Sequence, residues 1–126
     1  MASLNFVRRT VGDVLVLGLT GSLVVGEPGH LMRDEMQRLL KEEKVRKLLL
    51  NLSQLKRIDS TGVGQLFSAY TTAVNSGGQL KFCEPRPSII EFIKSLRIPC
   101  SLPMYPNEAS ALADFTGAPP SEQGQA

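Results

Sequence analysis

Histidine occurs once and cysteine twice in 126 residues, and those two scarcities remove most catalytic and metal chemistry at the outset. A serine or cysteine nucleophile needs a positioned base, and His30 lies in a glycine-rich stretch with no evident orienting partner. Cys83 and Cys100 are too few and too unpatterned for a disulfide framework or a zinc site, so both read as reduced, buried thiols. There is no G-x-x-x-x-G-K-[ST] phosphate loop, no G-x-G-x-x-G after a strand and no G-x-S-x-G elbow. No enzyme activity, cofactor or metal is therefore expected. Aromatics make up 6% of the chain and the formal net charge is +2, too little of either for nucleic acid. No apolar run approaches the ~20 residues of a membrane helix. The opening MASLNFVRRT also lacks the apolar stretch of a secretory signal, so a cytoplasmic setting is expected.

Aliphatic residues, in contrast, are plentiful enough for one core of ordinary size. The expected organisation is a single domain over residues 1–115 and a disordered tail, TGAPPSEQGQA, over 116–126. Charge is unevenly placed. The last twenty residues hold Glu108, Asp114 and Glu122 with no Lys or Arg, leaving 14 positive against 9 negative side chains in residues 1–106, a net of +5.

In chain order, Leu4 to Val11 and Val14 to Leu19 read as strands of an antiparallel hairpin turning at Gly12-Asp13. Gly21 suggests a bulge or exit, followed by a Gly- and Pro-containing loop from Val24 to His30. Helix one is expected over Leu31 to Glu43, with Met32, Met36, Leu39 and Leu40 as its core stripe. Gln79 to Cys83 reads as a further strand, and Ser88 to Arg97 as a helix with Ser88 and Glu91 at capping-box spacing. A short strand around Leu102 to Tyr105 precedes a last helix capped by Asn107, with Ala109, Leu112, Ala113 and Phe115 facing inward. Strands alternating with helices after a hairpin imply an α/β fold: a mixed sheet of four to five strands with about four helices mainly on one face.

The remaining stretch, Lys47 to Asn75, organises the others. Leu48, Leu49, Leu50 and Leu52 form an apolar run suited to a strand buried on both faces. From Val63 the period changes: Val63, Leu66, Phe67, Tyr70, Ala73 and Val74 mark a helix that ends at Gly77-Gly78. Asp59 and Ser60 fall at the handover, where short oxygen-bearing side chains cap a first turn. Gly62 and Gly64 lie in that turn although each costs about 1 kcal/mol relative to Ala, which points to a smooth surface where another backbone comes close. Lys56 and Arg57 precede the turn as loop charges, able to lend it a positive rim.

This DSTGVGQL run after an apolar strand resembles the signature of the STAS domain, in particular that of bacterial anti-sigma factor antagonists. Asp59 falls on the family's Asp, Ser60 on its phosphorylated serine, Thr61 on the Ser/Thr that follows, and Gly62 and Gly64 on its glycines. Val63 replaces a commoner Leu, and the loop at Val24 to His30 departs from the family's polar entry. The resemblance covers roughly Leu4 to Phe115 and implies a STAS-like fold. It further implies a protein-protein switch in which Ser60, with Thr61 as a secondary site, is phosphorylated by a serine kinase that is also the anti-sigma factor and reset by a serine phosphatase. Asp59, Ser60, Thr61, Gly62, Gly64, Lys56 and Arg57 are the expected partner-binding residues. The alternative it implies is a non-switching STAS scaffold subunit of a lipid-transport or stress-signalling complex.

Overall fold

The computed structural model describes residues 3–99 and 101–115. The expected tail at 116–126 and the expected burial of Cys100 lie outside the described residues. β1 (Leu4–Val11) and β2 (Val14–Leu23) form the hairpin, paired from Leu4↔Gly21 to Val11↔Val14 around Gly12 at φ +62°. α1 (Glu27–Gln37) follows and continues as a π-helical turn, Arg38–Glu42. Then come β3 (Lys47–Asn51), β4 (Leu55–Ile58), α2 (Ser60–Asn75), β5 (Gln79–Cys83), α3 (Pro87–Ser95), β6 (Met104–Tyr105) and α4 (Glu108–Phe115).

The sheet runs β1-β2-β3-β5-β6, with β4 paired separately to the end of β2. Among the described residues only the β1–β2 pairing is antiparallel; the β2–β3, β2–β4, β3–β5 and β5–β6 pairings are parallel. Alternation along the strands splits the core in two. Leu15, Leu17 and Leu19 of β2, Leu48 and Leu50 of β3, and Leu80 and Phe82 of β5 join Met32, Met36, Leu66 and Ala73 of the helices on one face. Val14, Val16, Leu49 and Cys83 meet Ala111 and Phe115 of α4 on the other. Leu48, Leu49 and Leu50 are fully buried, as a central parallel strand covered on both faces requires.

Several elements differ from the sequence reading. Among the described residues the sheet has six strands, because Leu55–Ile58, read as part of a loop, pairs with Gly21–Leu23 across a register shift at Gly21/Ser22. Four residues with a single fully buried side chain, Leu55, carry too short an alternation to declare a strand. The bulge expected at Gly21 is there, with φ +105°; a Cβ at this position would stand 2.3 Å from the Ser3 carbonyl oxygen. α1 starts four residues early, at Glu27, because Pro28 is accommodated in a first turn where its missing N–H costs nothing. His30 is consequently a helix residue, not a loop residue. The Ser88–Glu91 capping box does not form: the N-cap is Arg86, and Pro87 opens the helix. On α2 the buried stripe is Val63, Leu66, Ala69 and Ala73, while Val74 is half exposed. On α4 Asn107 caps as expected, its Oδ1 accepting from the Ser110 N–H at 2.8 Å. The buried positions there are Ala111 and Phe115; Ala109 and Ala113 face outward.

Candidate functional site

The site forms where β2 and β4 end side by side and α2 begins. β4 delivers Asp59 in extended geometry, φ −119° and ψ −174°, which turns the chain sharply into the helix. Both oxygens of the Asp59 carboxylate are used. Oδ1 accepts from the Gly62 N–H at 2.8 Å and satisfies one of the donors that a helix start leaves unpaired; Oδ2 accepts from the Val25 N–H at 2.9 Å. One side chain therefore fastens the junction between β2 and α1 to the first turn of α2. The Asp59 N–H in turn donates to the Leu23 carbonyl at 3.4 Å.

The two glycines divide their labour. A Cβ on Gly62 would stand 2.0 Å from the Leu23 carbonyl oxygen and 2.7 Å from Ile58 Cγ1. The backbone that comes close to Gly62 is thus the protein's own, and the residue is buried. Gly64 has no atom within 4 Å of the place a Cβ would occupy, and it is exposed. The bare surface expected of both residues belongs to Gly64 alone.

Because Asp59 is the N-cap, Ser60 is released from that task. It is the first residue of α2, exposed at the positive end of the helix, and no hydrogen bond engages its hydroxyl among the described residues. Thr61 is exposed beside it. Lys56 and Arg57 are exposed on β4 rather than in a loop, and neither forms an ion pair among the described residues. His30 Nδ1 meets Arg33 Nη2 at 2.7 Å on its own helix, a surface pairing that does not orient it toward any nucleophile.

Sequence reasoning missed two contributors, the Leu23 carbonyl and the Val25 N–H. Val25 sits 34 residues from Asp59 in the chain and is 68% exposed, a large apolar side chain standing in water beside the site. Backbone groups have no sequence signature, so nothing in the order of residues marked either one.

A second constellation also differs from expectation. Cys83 Sγ and carboxylate oxygens of Glu84 and Glu108 lie within 4.8 Å of one another, although the sequence suggested no cysteine meeting carboxylates at ligand spacing. These groups have internal partners. Asn51 Nδ2 donates to Glu108 at 2.8 Å and to Glu84 at 3.3 Å, the Glu108 N–H donates to Glu84 at 3.2 Å, and Arg9 forms an ion pair with Glu108. Burial, with Glu84 and Glu108 adding to it, pushes the Cys83 thiol up to about 12, so it stays protonated and unreactive near neutrality.

The family model of the STAS domain matches residues 5–111, and the chain belongs to that family. It is 25% identical over 102 residues to the anti-sigma F factor antagonist of Paenibacillus polymyxa, spanning 81% of this chain and 86% of that relative. Among solved structures it resembles a candidate anti-sigma factor antagonist from Thermotoga maritima, with a TM-score of 0.74 at 20% identity over 86% of this chain and 92% of that one. It also resembles the phosphorylated form of the Bacillus cell fate determinant SpoIIAA, with a TM-score of 0.65 at 19% identity over 88% of this chain and 99% of the other. The likeness to these structures is one of fold.

Proposed function

We propose that this protein is an anti-sigma factor antagonist whose docking is switched by phosphorylation of Ser60. The observation that carries the reading is the state of that serine: exposed at the first position of α2, relieved of capping by Asp59, and with its hydroxyl in no hydrogen bond among the described residues. Similarity to the Paenibacillus antagonist supports the class of partner. In the unmodified state a serine kinase acting as anti-sigma factor docks over Ser60, Thr61 and the open Gly64, with Lys56 and Arg57 on the adjoining strand and Asp59 and Gly62 holding the corner in shape. Phosphorylation adds about −1.5 to −2 charges and three acceptor oxygens.

Within the molecule a helix N-terminus tolerates that charge, so the fold survives. At an interface the dianion brings bulk, a desolvation cost and repulsion from acidic groups. A loss of about 3 kcal/mol there weakens docking on the order of a hundredfold. A serine phosphatase then resets the switch.

The test is incubation with the cognate kinase and labelled ATP, followed by site mapping and titration of the complex. Wild type takes up label at Ser60, Ser60→Ala takes up none and still docks, and Ser60→Asp docks at least tenfold more weakly. Equal labelling of Ser60→Ala overturns the assignment. Recovery of a transport ATPase complex without any kinase from the native cell supports the scaffold reading instead.

A further inference from the structure

Away from the α2 corner, an open cavity of about 440 Å3 lies between α2, α3 and the chain leading into β6. This size is within the range of small-molecule sites. Its walls are Phe67 from α2, Ile90 and Ile93 from α3, Ile98 and Leu102 from the connection, and Met104 from β6. The arrangement follows from how α3 packs. Only Ile89 of that helix is buried, so Ile90 and Ile93 are left half covered and the cavity stays open beside them.

Two cations stand at this apolar hollow, Lys94 and Arg97. Neither forms an ion pair among the described residues, whereas Arg8, Arg9, Arg38 and Lys47 all do. No carboxylate among the described residues lines the cavity. Apolar walls suit an alkyl chain, and two unpaired cations at the same opening suit a negative head group.

We propose that this cavity is a binding site for a small anionic amphiphile, a fatty carboxylate whose chain lies against the isoleucines and whose head meets Lys94 and Arg97. The proposal is independent of the Ser60 switch. Its site shares α2 with that serine, since Phe67 stands on the helix that Ser60 begins.

The chain's isoleucines provide the readout. Ile90, Ile93 and Ile98 line the cavity, and Ile58 and Ile89 do not. With the full chain labelled at isoleucine δ-methyl groups, titration with sodium octanoate below its micelle concentration is followed by NMR. The first three methyls shift saturably and the other two hold. Exchanging both cations, in a Lys94→Gln/Arg97→Gln variant, weakens octanoate about fivefold, the worth of two exposed ion pairs, and leaves 1-octanol unchanged. Both residues are exposed, so the variant folds. Absence of any shift, uniform shifts at all five methyls, octylamine binding as tightly as octanoate, or a double variant that binds like wild type would each overturn the proposal.

Discussion

Two helices of this protein, α2 and α4, begin at the carboxyl ends of parallel strands, and both first turns bear on negative charge in opposite ways. At α4 the charge is built in. Glu108 occupies the first turn, its carboxylate held by Arg9 and Asn51 while its own N–H donates to Glu84. At α2 the first position carries a neutral hydroxyl with no internal partner, and the only carboxylate, Asp59, is consumed in backbone hydrogen bonds. The same dipole that favours an anion at both starts is neutralised in one place and left open in the other. A helix start whose charge is locked stabilises a fold; one left open can receive a charge and report it to a partner.

The largest test of this contrast is Gly62→Ala. The α2 corner depends on contact between Gly62 and the Leu23 carbonyl, backbone on backbone with no flexible atom to yield, so the added methyl costs about 3 kcal/mol. A fall in the urea midpoint reads it, and an unchanged midpoint would show that the corner is not rigid. Next is Asp59→Ala, which removes the cap and the tie to Val25 together and costs about 1–2 kcal/mol in the same assay. Amide exchange at Val25 should quicken at the same time.

Gly64→Ala runs the other way. The site is an exposed helix interior with free space, so the variant gains about 0.5–1 kcal/mol. If Gly64 serves docking, partner affinity drops as stability rises, a pairing that separates its role from that of Gly62. The smallest effect is at α4. The hydrogen bond from Arg9 holds the Glu108 carboxyl below its ordinary range, against the opposing effect of burial and with help from Asn51. A depressed carboxyl contributes stability that is present above its unfolded value and is lost as pH falls through the lower folded one. Denaturation midpoints measured from about pH 5 down to about pH 3 should therefore decline less steeply in Glu108→Gln than in wild type.

Much of the scaffold was legible because it rests on local periodicity. The leucine run at Leu48 to Leu50, the Met32, Met36, Leu39 and Leu40 stripe and the hairpin at Gly12 are each fixed by neighbours within a few residues. β4 was not legible, since a four-residue strand is defined by the partner it finds at Gly21–Leu23. The start of α1 was misplaced for a related reason: a proline reads as a break until one knows that it stands in the first turn. The site divides likewise. Asp59, Ser60, Thr61, Gly62 and Gly64 could be picked out from their order in the chain, whereas the burial of Gly62, the tether to Val25 and the strand carrying Lys56 and Arg57 could not.

What the order of residues decides alone is where a strand gives way to a helix and which short polar side chains stand at that joint, because capping and periodicity are local physics. Which of those side chains is spent on the fold and which is left to meet something else is settled only when distant backbone arrives. Leu23 and Val25 claim Gly62 and Asp59, and what they leave unclaimed at the surface is Ser60 and Gly64.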